Sequence, residues 1–460
     1  MNVEKARGEL LALGDRVVDL ALRAGADVAE ASVHQSLHLS AKVRLKEPEL
    51  VEEAGSRGVG LRVMCGQQVA VAHTSDLSDA GLDRFIEDAV ELVRLTQPDT
   101  FAGAPEPSLL SSMDQHAKLD LFDRAVDTID AAEALHRAKA AEVAALEYDS
   151  RITNSEGSTF GRVSGASAVV TSGGFRGFAR GTYASIVVSP VVDDTDGKKR
   201  NGYYWSSRRY LSDMETEREV GREAARRTLA KLGARKIPTQ RAPVVFDPDA
   251  ARSILGLLAG CLNGSAIWRR ASYLADRENS RVASDLVSVI DDPLLPRGPG
   301  SRPFDGEGLL SRRNVVVEHG VLKTYLLDTY SGRKLGKPST ASAARSASGG
   351  VSPSTTNFIL QPGTLTPEQL ISSTKSGLYV TDMMGFGFNA VTGDFSRGAA
   401  GFWIENGEKT FPVSEVTISL NLDQILQRID AVASDLRMDS SIAAPTFRVS
   451  EMTIAGSDRA

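Results

Sequence analysis

Few side chains in this sequence are able to hold a metal ion or attack a bond. The six histidines are His34, His38, His73, His116, His136 and His319, and the two cysteines are Cys65 and Cys261, all widely dispersed. His34 and His38 stand four apart, which would suit a zinc pair on a helix. The alternating pattern of residues 29–40 predicts a strand instead. There the two imidazoles lie two pleats apart with no carboxylate between them, as polar positions on one exposed face. His319-Gly320 is predicted to occupy a hairpin turn. Two glycine patterns imitate nucleotide sites. Gly385-x-Gly387-x-x-Ala390 follows a strand, but Thr392-Gly393-Asp394 stands where a dinucleotide fingerprint needs a helix. Gly332 to Gly336-Lys337 is one residue short of a phosphate loop, with Pro338 where magnesium needs Ser or Thr. No Gly-x-Ser-x-Gly elbow is present.

The glycine-rich stretch 377–407 specifies backbone shape more than side-chain packing. Its candidates for contact with a peptide or partner are Gly385, Gly387, Asn389, Asp394, Ser396 and Arg397. The same residues would equally suit a tightly turned core loop, and the sequence leaves both readings open.

These candidates need elements to position them. With 460 residues, 42% of them apolar and 24% charged, the chain is long enough for two or three globular domains. The formal net charge of −6 gives no general attraction to nucleic acid. No run of 18 apolar residues is present, so no membrane span is expected. Two cysteines make no disulfide framework, and a reducing cytoplasm is the expected compartment.

Apolar periodicity predicts a helix over 3–23, strands over 29–40, 61–65 and 69–72, and a helix over 80–95. These form an N-terminal α/β domain, residues 1–96, followed by a linker, 97–117. A central α+β domain, 118–235, is predicted to hold a helix over 120–146, a turn at Asn154-Ser155-Glu156-Gly157, and strands over 161–171, 183–192 and 201–210. Ser212-Asp213-Met214-Glu215 reads as a capping box opening a helix to residue 232, with Glu223 and Arg227 paired on its face. A mainly antiparallel, β-rich C-terminal domain, 243–460, begins with strand 244–246 and a helix opened by Asp247-Pro248. Asn406-Gly407 is its best hairpin signal. Residues 339–356 read as a long ordered loop or mobile flap. The fold class expected is α+β, with small mixed sheets before that last domain.

Several segments together resemble the TldD/PmbA family, whose members are also described as modulators of DNA gyrase. They are Asn154-Ser155-Glu156-Gly157, Asp305-Gly306-Glu307-Gly308, His319 through Lys323, Asn357 through Gly363, Gly393 through Ser396, Ile404 through Gly407, Ala444-Pro445-Thr446 and Ile454-Ala455-Gly456. Their order and spacing span about residues 10–456.

The resemblance implies more than the residues do. In the family's catalytic subunit, TldD, a His-Glu-x-x-x-His helix and a cysteine near the C-terminus hold zinc with one position open for water. The matching positions here are Gly256-Leu257-Leu258-Ala259-Gly260-Cys261, and 436–442 contains no cysteine. By resemblance, Gly256, Leu257, Gly260 and Cys261 occupy a degenerate motif slot, filled with hydrocarbon, with no catalytic or metal-binding residue. The expected role is therefore that of a non-catalytic, TldE/PmbA-like subunit without a cofactor of its own. Zinc would sit in a TldD-like partner of a cytoplasmic metallopeptidase that processes unfolded or modified peptides. Extended peptides would be bound by strand addition; a homodimer remains possible. The alternatives are a stand-alone regulatory protein, for example one acting on gyrase, or a metal-independent hydrolase.

Overall fold

The computed structural model describes residues 3–195 and 197–457. α1 (Val3–Arg23) buries Leu10, Val17 and Ala21 along one stripe. β1 (Val28–Arg44), β2 (Glu47–Cys65) and β3 (Gln68–Thr74) form an antiparallel meander. α2 (Asp79–Leu95) follows, its first turn held by Ser78, which accepts from the Gly81 amide. Beyond the connecting segment come α3 (Arg124–Asp127), α4 (Ala131–Leu146), β4 (Asn154–Thr171), β5 (Arg176–Asp193), β6 (Lys199–Asn201), β7 (Tyr204–Arg208) and α5 (Glu217–Leu229).

β4 runs antiparallel beside β1 from Glu30↔Thr171 to Val43↔Ser158. Residues more than a hundred positions apart thus share one sheet of order β3-β2-β1-β4-β5-β6, with β7 also on β5. Two apolar cores pack on it, one under α1 and α2 and one under α4 and α5.

The remaining chain forms a third core. It begins with β8 (Gln240–Phe246) and α6 (Pro248–Cys261). Three short strands follow, β9 (Val289–Asp291), β10 (Asn314–Glu318) and β11 (Val321–Leu322), then the hairpin β12 (Ala343–Arg345) with β13 (Val351–Pro353), and β14 (Phe358–Leu360). β15 (Ser376–Met384), β16 (Asp394–Glu405), β17 (Glu408–Asn421), β18 (Ile429–Val432), β19 (Ile442–Ala443) and β20 (Phe447–Ala455) complete it. The order β17-β16-β15-β8-β20 closes on itself through Thr417↔Ala455, Ile418↔Ile454 and Ser419↔Thr453, making a five-stranded barrel. Only its β15–β8 pair is parallel. Asn406 and Gly407 both adopt positive φ, 52° and 82°, in a two-residue hairpin loop.

Several local expectations are corrected. Asn154 through Gly157 is the start of β4, not a turn; its register slips between Ser155 and Gly157, whose amide donates to Ser155 Oγ. The helix expected over 120–146 starts late and is broken: Asp120 adopts φ 54°, Asp123 caps a short helix over 124–127, and Asp130 caps a second over 131–146 by accepting from the Glu133 amide. The capping box lies at Thr216 and Glu219 rather than Ser212 and Glu215; residues 211–213 form a 3-10 turn. The Glu223–Arg227 pair forms as expected, at 2.8 Å.

The 339–356 segment contains β12 and β13 and is bolted to the first sheet. Glu30 on β1 is fully buried between Arg62, its cross-strand neighbour, at 3.2 Å and Arg345 of β12 at 2.6 Å. Burial alone would raise the Glu30 carboxyl, but the two guanidinium groups outweigh it and hold it below its usual range. Gly60 makes the approach possible: a Cβ there would lie 2.4 Å from the Ala347 carbonyl oxygen. The 97–117 segment also docks on the third core: Tyr330 donates to Asp99 at 2.6 Å, and the Ser111 amide donates to the Gly308 carbonyl. Arg345→Ala leaves the buried Glu30 charge with one partner, and is expected to cost about 3 kcal/mol of stability in urea unfolding.

Candidate functional site

Between the central helices and the barrel lies a cleft whose floor is the start of α6. Asp247 caps this helix by accepting from the Ala250 amide at 2.8 Å, and Pro248 at the first position presets its backbone. One wall is α5 with the segment around Tyr203; the other is β15, β16 and β17. The outer cavity measures about 810 Å³ and an inner chamber about 310 Å³. Tyr203, Lys231, Asp249 and Asp382 line both, so they form one space.

β15 is shaped for this position. Its pairing with β8 ends at Val380↔Phe246, and its register against β16 shifts between Val380 and Asp382. Gly401 sits opposite that shift, where a Cβ would lie 1.8 Å from the Tyr379 carbonyl oxygen, so only glycine fits. Residues 381–384 therefore border the cleft with the β8-side edge beyond the end of the ladder.

The charges of the cleft are mostly paired. Lys231 meets Asp382 at 3.0 Å, and Asp249 is shared by Arg227 at 3.4 Å and Arg252 at 3.5 Å. Arg226 and Arg227 are both held by Glu223. Two groups stand apart. Asp247 is only 5% exposed and forms no ion pair among the described residues; burial, with help from Asp249 and Asp382, pushes its carboxyl up to about 7 against the Ala250 hydrogen bond and Arg227. Lys409 lies over the Tyr379 ring at 4.4 Å with no carboxylate in contact among the described residues. Partial desolvation and Arg226 hold its ammonium below the usual lysine range.

The expected motif slot lies further along α6. Cys261 is fully buried with Ile254, Leu255 and Leu258 in the third core, and burial pushes its thiol up to about 11. Leu257 packs at the margin of that core. Gly256 and Gly260 differ from the hydrocarbon-filled slot expected. A Cβ on Gly256 would meet only Ile442 at 3.8 Å, and one on Gly260 would meet nothing within 4 Å. They leave a bare strip along the helix because glycine has no side chain to fill it. These four residues do not fit a zinc ion: two lack side chains, one is hydrocarbon, and the thiol is turned into the core. Among the described residues, no three His, Cys, Asp or Glu side chains form a group able to hold a metal. His34 stacks on His73 at 5.7 Å, and His116 packs against Phe304 at 4.8 Å. His319 takes the hairpin turn with φ 44°.

Of the glycine-rich candidates, four build their own loop. Asn389 accepts from the Val391 amide at 2.9 Å, and Asp394 accepts from Thr392 Oγ1 at 2.7 Å. Gly387 accepts from the Ser396 amide so closely that a Cβ would lie 1.9 Å from the Ser396 carbonyl oxygen. Gly385 stands open with φ 80°. Arg397 alone reaches α6, donating to Ser253 Oγ at 3.1 Å beside the cleft. Sequence reasoning missed Asp247 as a site residue, although it identified the cap; Lys231, Asp382 and Lys409 come from separate segments and carry no local signal.

Comparison with known proteins decides the family. Residues 29–93, 124–232 and 239–456 match, in order, domain 1, the central domain and the C-terminal domain of the PmbA/TldA metallopeptidases. A metalloprotease PmbA of Escherichia coli is 36% identical over 431 residues, covering 94% of this chain and 92% of that protein. The chain belongs to the PmbA/TldD family. A crystal structure from Bacteroides thetaiotaomicron, of a candidate modulator of DNA gyrase, superposes with a TM-score of 0.90 at 28% identity, covering 97% of this chain and 98% of that one. TldE from Thermococcus kodakarensis shares the fold, with a TM-score of 0.85 at 20% identity and coverage of 96% and 100%. Among the described residues, no helix is long and apolar enough to cross a membrane.

The Asp247 carboxyl gives a signed prediction. Its folded-state value lies above the unfolded one, so its ionisation costs stability progressively as pH rises from about 4 to about 7. Asp247→Asn keeps a capping acceptor without the charge. It is expected to raise the melting temperature relative to the parent chain more at pH 8 than at pH 5. Asp247→Ala loses the cap, about 1 kcal/mol, at both.

Proposed function

We propose that this chain is the zinc-less, TldE/PmbA-like subunit of a cytoplasmic two-subunit metallopeptidase. A TldD-like partner would carry the zinc and hydrolyse extended, unfolded or modified peptides. The observation that carries this reading is the slot on α6: Gly256, Leu257 and Gly260 supply no metal donor, and Cys261 faces the core. The 36% identity to a metalloprotease PmbA supports the same side of the family.

The chain's own residues would act on the substrate backbone and exclude water. Beyond Val380 the edge of β15 has no β8 partner, and a peptide laid along residues 381–384 would complete it by strand addition. Within the barrel itself β16 is paired on both sides and offers no edge. Arg397, bridging to Ser253, would fix the glycine-rich loop against the same cleft, leaving Gly385 at its open turn for a partner or peptide.

The name of the Bacteroides relative supports a second reading, a regulatory protein acting on gyrase. The net charge of −6 directs such a role toward a protein contact rather than DNA.

Co-expression with a TldD-like protein, followed by size exclusion with light scattering and elemental analysis, separates the readings. A mixed dimer is expected, with zinc retained by the partner and none bound stoichiometrically by this chain when purified alone. A lone species that never joins the partner, or tightly bound zinc in this chain, would overturn the assignment.

A further inference from the structure

The inner chamber is more specific than a groove for extended backbone requires. Its walls include the Tyr379 and Phe402 rings, with Tyr203 at the junction with the outer cavity. At about 310 Å³ it has room for a few residues of peptide, not for a folded partner. Most of its charged groups neutralise one another, as described above, and two do not. Asp247, on the floor, is nine-tenths buried and lines the chamber; one oxygen accepts from Ala250, and the other has no hydrogen-bond partner among the described residues. Lys409 is the one chamber cation without a carboxylate in contact among the described residues. That second oxygen is reachable from the chamber, so a cationic donor that fills the space can form a charge-assisted hydrogen bond with it in a partly desolvated site.

We infer that the inner chamber binds the amino terminus of a peptide, its ammonium on Asp247, with the C-terminal carboxylate of a peptide of a few residues directed toward Lys409. The inference rests on the peptide-handling role proposed above and adds which end of the chain is recognised. The groups facing Asp247 set the sign of the interaction. Asp249 on α6 and Asp382 on β15 favour a cation, while Arg227 and Lys231 from the α5 side and Lys409 from β17 oppose it. The opposing arginine and Lys231 are already committed to Glu223, Asp249 and Asp382. These pairs largely cancel one another, and burial, the largest effect on Asp247, with smaller help from Asp249 and Asp382, holds its carboxyl up to about 7. An ammonium brought into contact would pull that carboxyl down and be held as a charge-assisted hydrogen bond.

The pH response follows. Asp247 ionises above about 7, and a peptide α-amino group loses its proton near 8. Affinity should peak between those values and fall on both sides.

The test uses the full chain and three probes: trialanine, N-acetyl-trialanine and trialanine amide, titrated calorimetrically at pH 7.5. Trialanine and its amide are expected to bind at least about tenfold more tightly than the acetylated peptide. Asp247→Asn, which preserves the helix cap, should remove that difference while leaving the acetylated peptide unchanged. Lys409→Ala should weaken trialanine more than its amide. Equal binding of free and acetylated peptides, or an Asp247→Asn chain that still discriminates, would overturn the inference while leaving the subunit role intact. Absence of trialanine binding would also overturn it. Failure of the subunit role shows separately, as a chain that forms no mixed dimer.

Discussion

A carboxylate with no exposure stays ionised only if opposite charge surrounds it, and Glu30 is in that position. Its partners come from two parts of the molecule: Arg62 from the neighbouring strand and Arg345 from a hairpin almost three hundred residues later in the chain. The first sheet and the barrel have separate apolar cores. They are joined by ionic and polar ties, the Glu30 triad, Arg208 with Asp439, and Arg209 donating to the Gly298 carbonyl at 2.8 Å, and by a small buried apolar cluster in which Phe304 packs on Val169 and Phe175. A cleft persists between them because these ties are local and the three large apolar cores stay separate. The same ties fix the α5 wall relative to the barrel wall, and so the spacing of every group in the cleft.

α6 converts that placement into chemistry. One side of the helix belongs to the third core, with Ile254, Leu258 and Cys261 buried. Its N-terminal turn opens into the cleft through Asp247, and its outward strip is bare at Gly256 and Gly260. A helix so arranged can wall, cap and orient, but the slot residues give it no donor set for a metal. The proposed role therefore draws on the start of α6, where the Asp247 carboxylate, without an ion pair among the described residues, faces a chamber.

Elements with strong local signals were legible in the sequence. α1, α2 and α6 follow their apolar stripes and caps, and Asn406-Gly407 forms its turn because both residues tolerate positive φ. The first half of β2 was not legible: residues 47–57 are exposed and carry Glu, Ser, Gly and Arg without alternation, yet pair with β1 throughout. Asn154 through Gly157 has turn residues but lies in a strand, because β5 imposes the ladder there, pairing Asn154 with Val191 and Gly157 with Ser189. The family could be recognised from ordered short motifs. The cleft could not, since Tyr203, Lys231, Asp382 and Lys409 meet only through tertiary packing. The burial that sets Asp247 apart is likewise a property of the assembled fold.

The central claim, that this chain contributes binding and enclosure while another subunit supplies the hydrolytic centre, is tested most directly by a reconstitution assay. Cleavage of an unstructured fluorogenic peptide would be followed with this chain alone, a TldD-like subunit alone, and the two combined, each with and without a chelator. The account predicts no cleavage by this chain alone, and chelator-sensitive cleavage by the pair that exceeds any shown by the partner alone. Chelator-resistant peptide cleavage by this chain alone would contradict it.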